Sequence, residues 1–415
     1  MNRFVLVSVL LLGAPVLAAP TEVSAKARAI HESALIIDTH VDTPLRMLEE
    51  GFDLGSKPPN GVGHLDLHRA REGNLGAAFF SIWVDPRKFA GQDTHRALRL
   101  IDAVLQQVER HPDQMVLALS SKDIVAARSG KQKKLATLMG VEGGHAIQND
   151  LGVLRDFYRL GVRYMTLTWS NSTDWADSSG DISDPKVKHV GGLNDFGREV
   201  VLEMNRLSML VDISHVADAT FFDVMKVTKA PVIASHSSAR ALTDHPRNMT
   251  DEMLEAVATN GGVVMVNFYS AFIDDTFRKA YAAAAPERKA AIEALEAKHK
   301  DADPAKRFQV STAAEFEWAA KVKRPPLDAL INHIDHIAKV AGVDHVGLGS
   351  DFDGITSTPE GIDSVADLPR ITEALLARGY TREQLHKILG GNLLRVFREA
   401  ERVSRELRAA PSGNR

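Results

Sequence analysis

Leu35-Ile-Ile-Asp-Thr-His-Val-Asp42 opens on an apolar, β-branched run and closes on two groups of metal-ligand type. A short run of this kind reads as a buried strand. In extended chain, side chains two residues apart point to the same side, so His40 and Asp42 can reach one metal together. The run Leu35–Asp38 is one of eight. The others are Leu75–Val84, Ala136–Val141, Val162–Leu167, Met209–Ile213, Pro231–Ala234, Val263–Asn267 and His345–Leu348. Helical stretches separate them, and strands alternating with helices give a parallel sheet. Eight such units predict a closed (β/α)₈ barrel of the TIM type. A ninth run, Met115–Leu119, falls between the second and third and does not fit the count.

The helices follow from periodicity and end signals. Asp195–Arg206 carries apolar residues at helical spacing behind Asn194 or Asp195 as N-cap. Thr250–Thr259 and Leu327–Val340 follow the same logic, the second stopped by Gly342. One segment breaks the rhythm. About residues 274–325 the chain is rich in Ala, Lys and Glu, and Pro325-Pro326 marks its end. It reads as a helical insertion after the seventh strand. A solvent-facing hairpin is the favoured reading, with a lid or a homodimer contact as the sharper one.

Composition narrows the possibilities. The chain has 415 residues, 44% of them hydrophobic, ample for a large core in one barrel domain. Its net charge of −4 gives no basic face, so nucleic acid is not an expected partner. Residues 1–19 read as a signal peptide: Arg3, then the apolar run Phe4–Leu12, then small residues before Ala19-Pro20. The run is too short for a comfortable membrane span. The mature chain would start at residue 20, and an uncleaved anchor is the alternative. With no cysteine, a secreted chain has no disulfides, which suits a bacterial periplasm. Any metal must then be held by His and carboxylates.

The ionisable residues gather at the strand ends. His40 and Asp42 follow the first strand, Glu142 ends the third, and His215 and His236 end the fifth and sixth. Asp351, in Gly349-Ser-Asp-Phe-Asp-Gly354, ends the eighth. Active sites of (β/α)₈ barrels lie at that face. Three His and three carboxylates exceed the needs of one tetrahedral ion. Two ions sharing a carboxylate are therefore expected, with Glu142 as the bridge. His40 and Asp42 would hold one ion, and His215 and His236 the other. Asp351 would contact the water between them, taking its proton and passing it to a leaving group. No Gly-x-Ser-x-Gly elbow offers a nucleophile instead. His64, His68, His333 and His336 are read as structural.

At this point the sequence resembles the membrane dipeptidase (renal dipeptidase-like) family of the metal-dependent amidohydrolase superfamily. The likeness rests on Asp38-Thr-His-Val-Asp42, Gly140-Val-Glu-Gly-Gly144, Asp212-Ile-Ser-His-Val216, Ala234-Ser-His-Ser-Ser-Ala239, Val264-Met-Val-Asn-Phe-Tyr269, Gly349-Ser-Asp-Phe-Asp-Gly354 and Asn392. It implies two zinc ions per chain, dipeptides as substrates and tolerance of a D-residue at their C-terminal position. It also implies that Arg247, in His245-Pro-Arg-Asn248, binds the substrate carboxylate, a role suited to a guanidinium. Trp169 departs from the family pattern, which often has His after the Thr of the fourth strand. The alternative function is an amidase or lactonase acting on N-acyl amino acids, lactones or β-lactams, since barrel loops vary while the site stays.

Overall fold

A computed structural model describes residues 22–57, 62–130 and 132–409. The expected signal peptide lies outside the described residues. Among those described, no helix is long and apolar enough to cross a membrane.

The strands are β1 (Ile36–Val41), β2 (Leu75–Trp83), β3 (Met115–Leu117), β4 (Leu135–Glu142), β5 (Val162–Thr166), β6 (Leu210–Asp212), β7 (Ile233–Ala234), β8 (Val263–Val266) and β9 (Val346–Leu348). All pair in parallel, in the order β1-β2-β4-β5-β6-β7-β8-β9. The ring closes at its C-terminal end. There Asp42 N–H donates to Phe352 O at 2.8 Å and Asp351 N–H donates to His40 O at 3.0 Å. The fold is thus the expected (β/α)₈ barrel. The extra run is resolved by register. β3 pairs with Leu135–Thr137 of β4, below the point where β5 joins that strand at Met139. It extends the bottom of one edge and leaves the count of eight intact.

Alternation along the strands divides the core in two. Ile37, Phe79, Leu138, Tyr164, Leu210, Ile233 and Met265 point into the barrel. Ile36, Phe80, Met139, Met165, Val211 and Val264 point outward against the helices. The last helix, Asn392–Ala409, adds Leu393, Val396 and Phe397 to the interior cluster. Asn392 anchors it by donating from Nδ2 to Val343 O and Val346 O. Helix Asp195–Leu207 is capped by Asn194, which accepts from Gly197 N–H, and helix Asp251–Asn260 by Thr250.

Two strands are shorter than their apolar runs. β7 keeps two residues of Pro231–Ala234, and β6 three of Met209–Ile213. Serines that follow both strands bond to a buried carboxylate, described below. The insertion after β8 also differs from a simple solvated hairpin. Its helix Ala285–Lys298 buries nothing. Helix Pro304–Ala319, in contrast, sets Phe308, Thr312, Glu315 and Phe316 into the wall of the cavity at the barrel mouth. Phe277, Tyr281 and Ala319 tie the segment down in a small core of their own.

Candidate active site

The C-terminal strand ends bring His40, Asp42, Glu142, His215, His236 and Asp351 together. Glu142, the last residue of β4, lies at the centre. Its Oε2 is 3.3 Å from His40 Nε2, and its Oε1 is 2.9 Å from His215 Nε2 and 3.5 Å from His236 Nε2. The two oxygens thus face different groups. Asp42 Oδ2 is 3.3 Å from His40 Nε2. Asp351 accepts from Asn267 Nδ2 at 2.8 Å. Ligand atoms of His40, Glu142 and His236 lie within 4.8 Å of one another, and so do those of His40, Asp42 and Asp351. Asp351 thus groups with His40 and Asp42.

The backbone carries strain at two of these residues. His215 has φ 66° and Asp351 φ 65°, in the left-handed region that ordinary side chains avoid. Gly354 sits against the carboxylates of Asp42 and Asp351, and a Cβ there would come within 2.2 Å of Asp42 Oδ2. Only glycine lets the loop fold over the site.

A second layer, which the sequence reading left without roles, fixes the imidazoles. His40 Nδ1 lies 2.7 Å from the Tyr164 hydroxyl. Tyr164 crosses the barrel interior because Gly140 offers no side chain; a Cβ there would lie 1.9 Å from the tyrosine ring. His236 Nδ1 lies 2.8 Å from Ser235 Oγ, and that hydroxyl donates to Asp212 Oδ2 at 2.6 Å. With its proton committed to the carboxylate, Ser235 accepts from Nδ1–H of the histidine. The Nε2 lone pair of His236 then faces the centre, the arrangement typical of a metal-binding imidazole. Asp38 plays a matching part on the other side, accepting from the Ser350 hydroxyl at 2.5 Å and from Ser350 N–H at 2.9 Å.

The electrostatics fit cations. Burial would raise the Glu142 pKa, yet the charge of His40 and hydrogen bonds from the three histidines hold it well below the usual carboxylate range. Asp351 moves the other way: burial, joined by the Asp42 and Glu142 charges, pushes it well up against the opposing pull of His40 and Asn267. Burial, with Arg247 second, lowers His215 to about 3, so its ring is neutral. The carboxylates of Asp42, Glu142 and the half-buried Asp351, with the imidazoles of His40, His215 and His236, form a donor set of the His and carboxylate kind that divalent transition metals take.

Arg247 is buried in the wall of the same cavity. It donates from Nη2 to His236 O at 3.1 Å and from Nη1 to Ser237 Oγ at 3.3 Å. Its Nε is buried without a hydrogen-bond partner among the described residues. The guanidinium therefore holds neutral oxygens only and keeps capacity for an anion. Burial, opposed by Asp351, Glu142 and Asp212, lowers its pKa to about 10, so it stays charged. The cavity measures about 810 Å³ and is walled by Trp83, Trp169, Tyr269 and Phe272, with the insertion helix above.

Asp353, two residues beyond Asp351, is turned away from the site. It accepts from Thr43 Oγ1 and from His64 N–H, each at 2.6 Å. His64 and His333 are likewise structural. His333 Nδ1 accepts from Ala239 N–H at 3.0 Å, while Nε2 faces Ile273 O at 3.2 Å.

A buried His and carboxylate cluster at the C-terminal mouth of a (β/α)₈ barrel defines a metal-dependent hydrolase. The family model for membrane dipeptidases, peptidase family M19, matches residues 24–411. The chain belongs to that family, which makes it a metallopeptidase of the dipeptidase class. Dipeptidase 3 of Homo sapiens is 34% identical over 390 residues, covering 92% of this chain and 69% of that protein. Among solved structures, the probable dipeptidase PvdM from Pseudomonas aeruginosa aligns at TM-score 0.75 and 25% identity, covering 91% of this chain and 98% of that one. A metallopeptidase from Rhodobacter sphaeroides, liganded with a phosphinate mimic of the dipeptide L-Ala-D-Ala, aligns at 0.70 and 26%, covering 88% and 99%.

Proposed function

We propose that this protein is a binuclear zinc dipeptidase that cleaves small dipeptides, including those with a D-residue at the C-terminal position. The observation that carries the reading is Glu142, whose two oxygens face His40 on one side and His215 with His236 on the other. A carboxylate so divided suits two ions about 3.5–4 Å apart. His40 and Asp42 would hold one ion and His215 and His236 the other. Bound zinc would supply a nucleophilic water near neutral pH and polarise the scissile carbonyl.

The chain's own residues supply the remainder. Arg247 binds the substrate carboxylate with the donor capacity left free in its buried site. Asp351 accepts the proton released by the attacking water and delivers it to the leaving nitrogen as the C–N bond breaks. Its raised proton affinity is the direction a proton carrier needs. Asn267 holds its carboxylate in place. The D-residue is supported by the L-Ala-D-Ala mimic bound to the Rhodobacter sphaeroides relative. The apolar leader and the lack of cysteine support a periplasmic or otherwise secreted location.

The test is zinc analysis of the purified protein together with a substrate panel. Close to two zinc ions per chain and turnover of dipeptides, in L,L and L,D forms, are expected. A protein that leaves every dipeptide intact while opening N-acyl amino acids, lactones or β-lactams would be an amidase or lactonase instead.

A further inference from the structure

Dipeptides are short, so where one end is held fixes where the other lies. This inference rests on the dipeptidase reading and on Arg247 as the carboxylate anchor. The ring order gives the directions. Arg247 follows the sixth strand of the ring, β7, and Tyr269 and Phe272 follow the seventh, β8. Glu142 ends the third strand, β4, diametrically across from β8. It is flanked by the second and fourth strands, β2 and β5. Those two neighbours carry tryptophans: Trp83 ends β2, in register with Glu142, and Trp169 lies three residues beyond β5. The indoles meet with ring centroids 4.9 Å apart, tilted by 60°, and Trp169 lies 6.4 Å from the His215 ring. Both line the cavity and both are only partly buried.

A substrate with its carboxylate on Arg247 and its scissile carbonyl over Glu142 must therefore direct its N-terminal residue at this tryptophan pair. We infer that Trp83 and Trp169 form the subsite for the N-terminal side chain and select flat, apolar side chains there, aromatic ones above all. Two indoles tilted against each other make a corner that a third ring fills by edge and face contacts. An alanine side chain would leave it wet. The cavity, at about 810 Å³, has room for two bulky residues.

The test is a series of dipeptides with alanine second and phenylalanine, leucine or alanine first, measured on the zinc-loaded protein. The phenylalanine substrate should exceed the alanine one by about ten- to a hundredfold in kcat/KM, as apolar pockets discriminate by side-chain size. Trp169→Ala and Trp83→Ala should each bring that ratio towards one, and Trp169→Phe should keep most of it. Phosphinate mimics with phenylalanine or alanine in the first position, titrated by tryptophan fluorescence, should show the same order in binding. The wild-type series stands even if an alanine variant fails to fold. Equal rates on the phenylalanine and alanine substrates would overturn the subsite and leave the dipeptidase reading intact. So would a preference that survives both alanine variants. Failure to cleave any dipeptide would overturn both.

Discussion

Replacing Asp212 by Asn exchanges one carboxylate oxygen for an NH₂ and should disable a ligand it does not touch. Asp212 is fully buried and accepts four hydrogen bonds. Oδ1 takes Ser214 N–H at 3.0 Å and Ser235 N–H at 2.8 Å; Oδ2 takes the Thr166 hydroxyl at 2.5 Å and the Ser235 hydroxyl at 2.6 Å. The carboxamide of Asn would keep its oxygen on the two backbone donors, which cannot turn. Its NH₂ would then face the two hydroxyls, and Ser235 would have to accept. Its own proton would turn to His236 Nδ1, 2.8 Å away. The imidazole would respond by carrying its proton on Nε2, the atom 3.5 Å from Glu142 Oε1 and 2.9 Å from His215 Nε2. A protonated Nε2 cannot ligate a metal. Restoring the ligand means breaking the new Ser–His hydrogen bond, at a cost of about 1–3 kcal/mol. Zinc affinity at this position should therefore drop about 10–100-fold, the usual scale for losing a residue that orients a ligand. The assay is zinc competition against a chelator at neutral pH, with circular dichroism and thermal melting in chelator to monitor the fold. Ser235→Ala, which frees the ring without inverting it, should lose less. Asp212→Asn binding both ions as tightly as the parent would refute the reasoning.

Three further outcomes follow from the same geometry. Asp351→Asn should lower kcat by about 10²–10⁴-fold with zinc still bound, whereas Asp353→Asn should destabilise the fold and spare turnover; the reverse pattern in a kinetic comparison would exchange their roles. Arg247→Ala should weaken dipeptides by about 1.5–3 kcal/mol in kcat/KM but barely affect their C-terminal amides, and equal losses on both would make Arg247 structural. Burial lowers His333 to about 4, partly offset by its bond to Ile273 O. The unfolded chain, near 6.5, thus binds more protons between those values, so stability is complete above pH 6.5 and falls as pH drops towards 4. The loss should reach roughly 3 kcal/mol. Urea titrations across this window should show a shallower slope for His333→Asn than for the parent.

The barrel and its ligands were legible because each ligand lies within a few residues of an apolar run. His40, Glu142, His215, His236 and Asp351 are all local to a strand end, and position alone selects them from sixteen histidines and many acids. The supporting residues were not legible, because their partners are distant in sequence. Tyr164 meets His40 across 124 positions, and Ser350 meets Asp38 across 312. Gly140 gave no sign that its missing side chain makes room for a ring. The insertion misled for another reason. Its Ala, Lys and Glu content reads as solvent-facing throughout, and for Ala285–Lys298 that is so. Phe308, Thr312 and Phe316 recur every four residues, a stripe of one helix face, and that periodicity marked the covering surface.

Asp38 and Asp212 also share a geometry that explains how the site tolerates its strained backbone. Each ends or interrupts a strand, points away from the ligand atoms and binds the N–H of a serine directly before a ligand. Asp38 takes Ser350 N–H, before Asp351; Asp212 takes Ser214 N–H, before His215, and Ser235 N–H, before His236. Asp351 and His215 are the two ligand-type residues with left-handed φ. A non-glycine residue held there costs about 1–3 kcal/mol, so something nearby must hold it. Buried carboxylates that accept three hydrogen bonds, at Asp38, and four, at Asp212, can do so, because releasing the backbone would strand a charge in a dry interior. The device thus ties the turn after β9 to β1, and the turns after β6 and β7 to Asp212 at the end of β6. It aims side chains from β1, β6, β7 and β9 at one point while the strands themselves diverge.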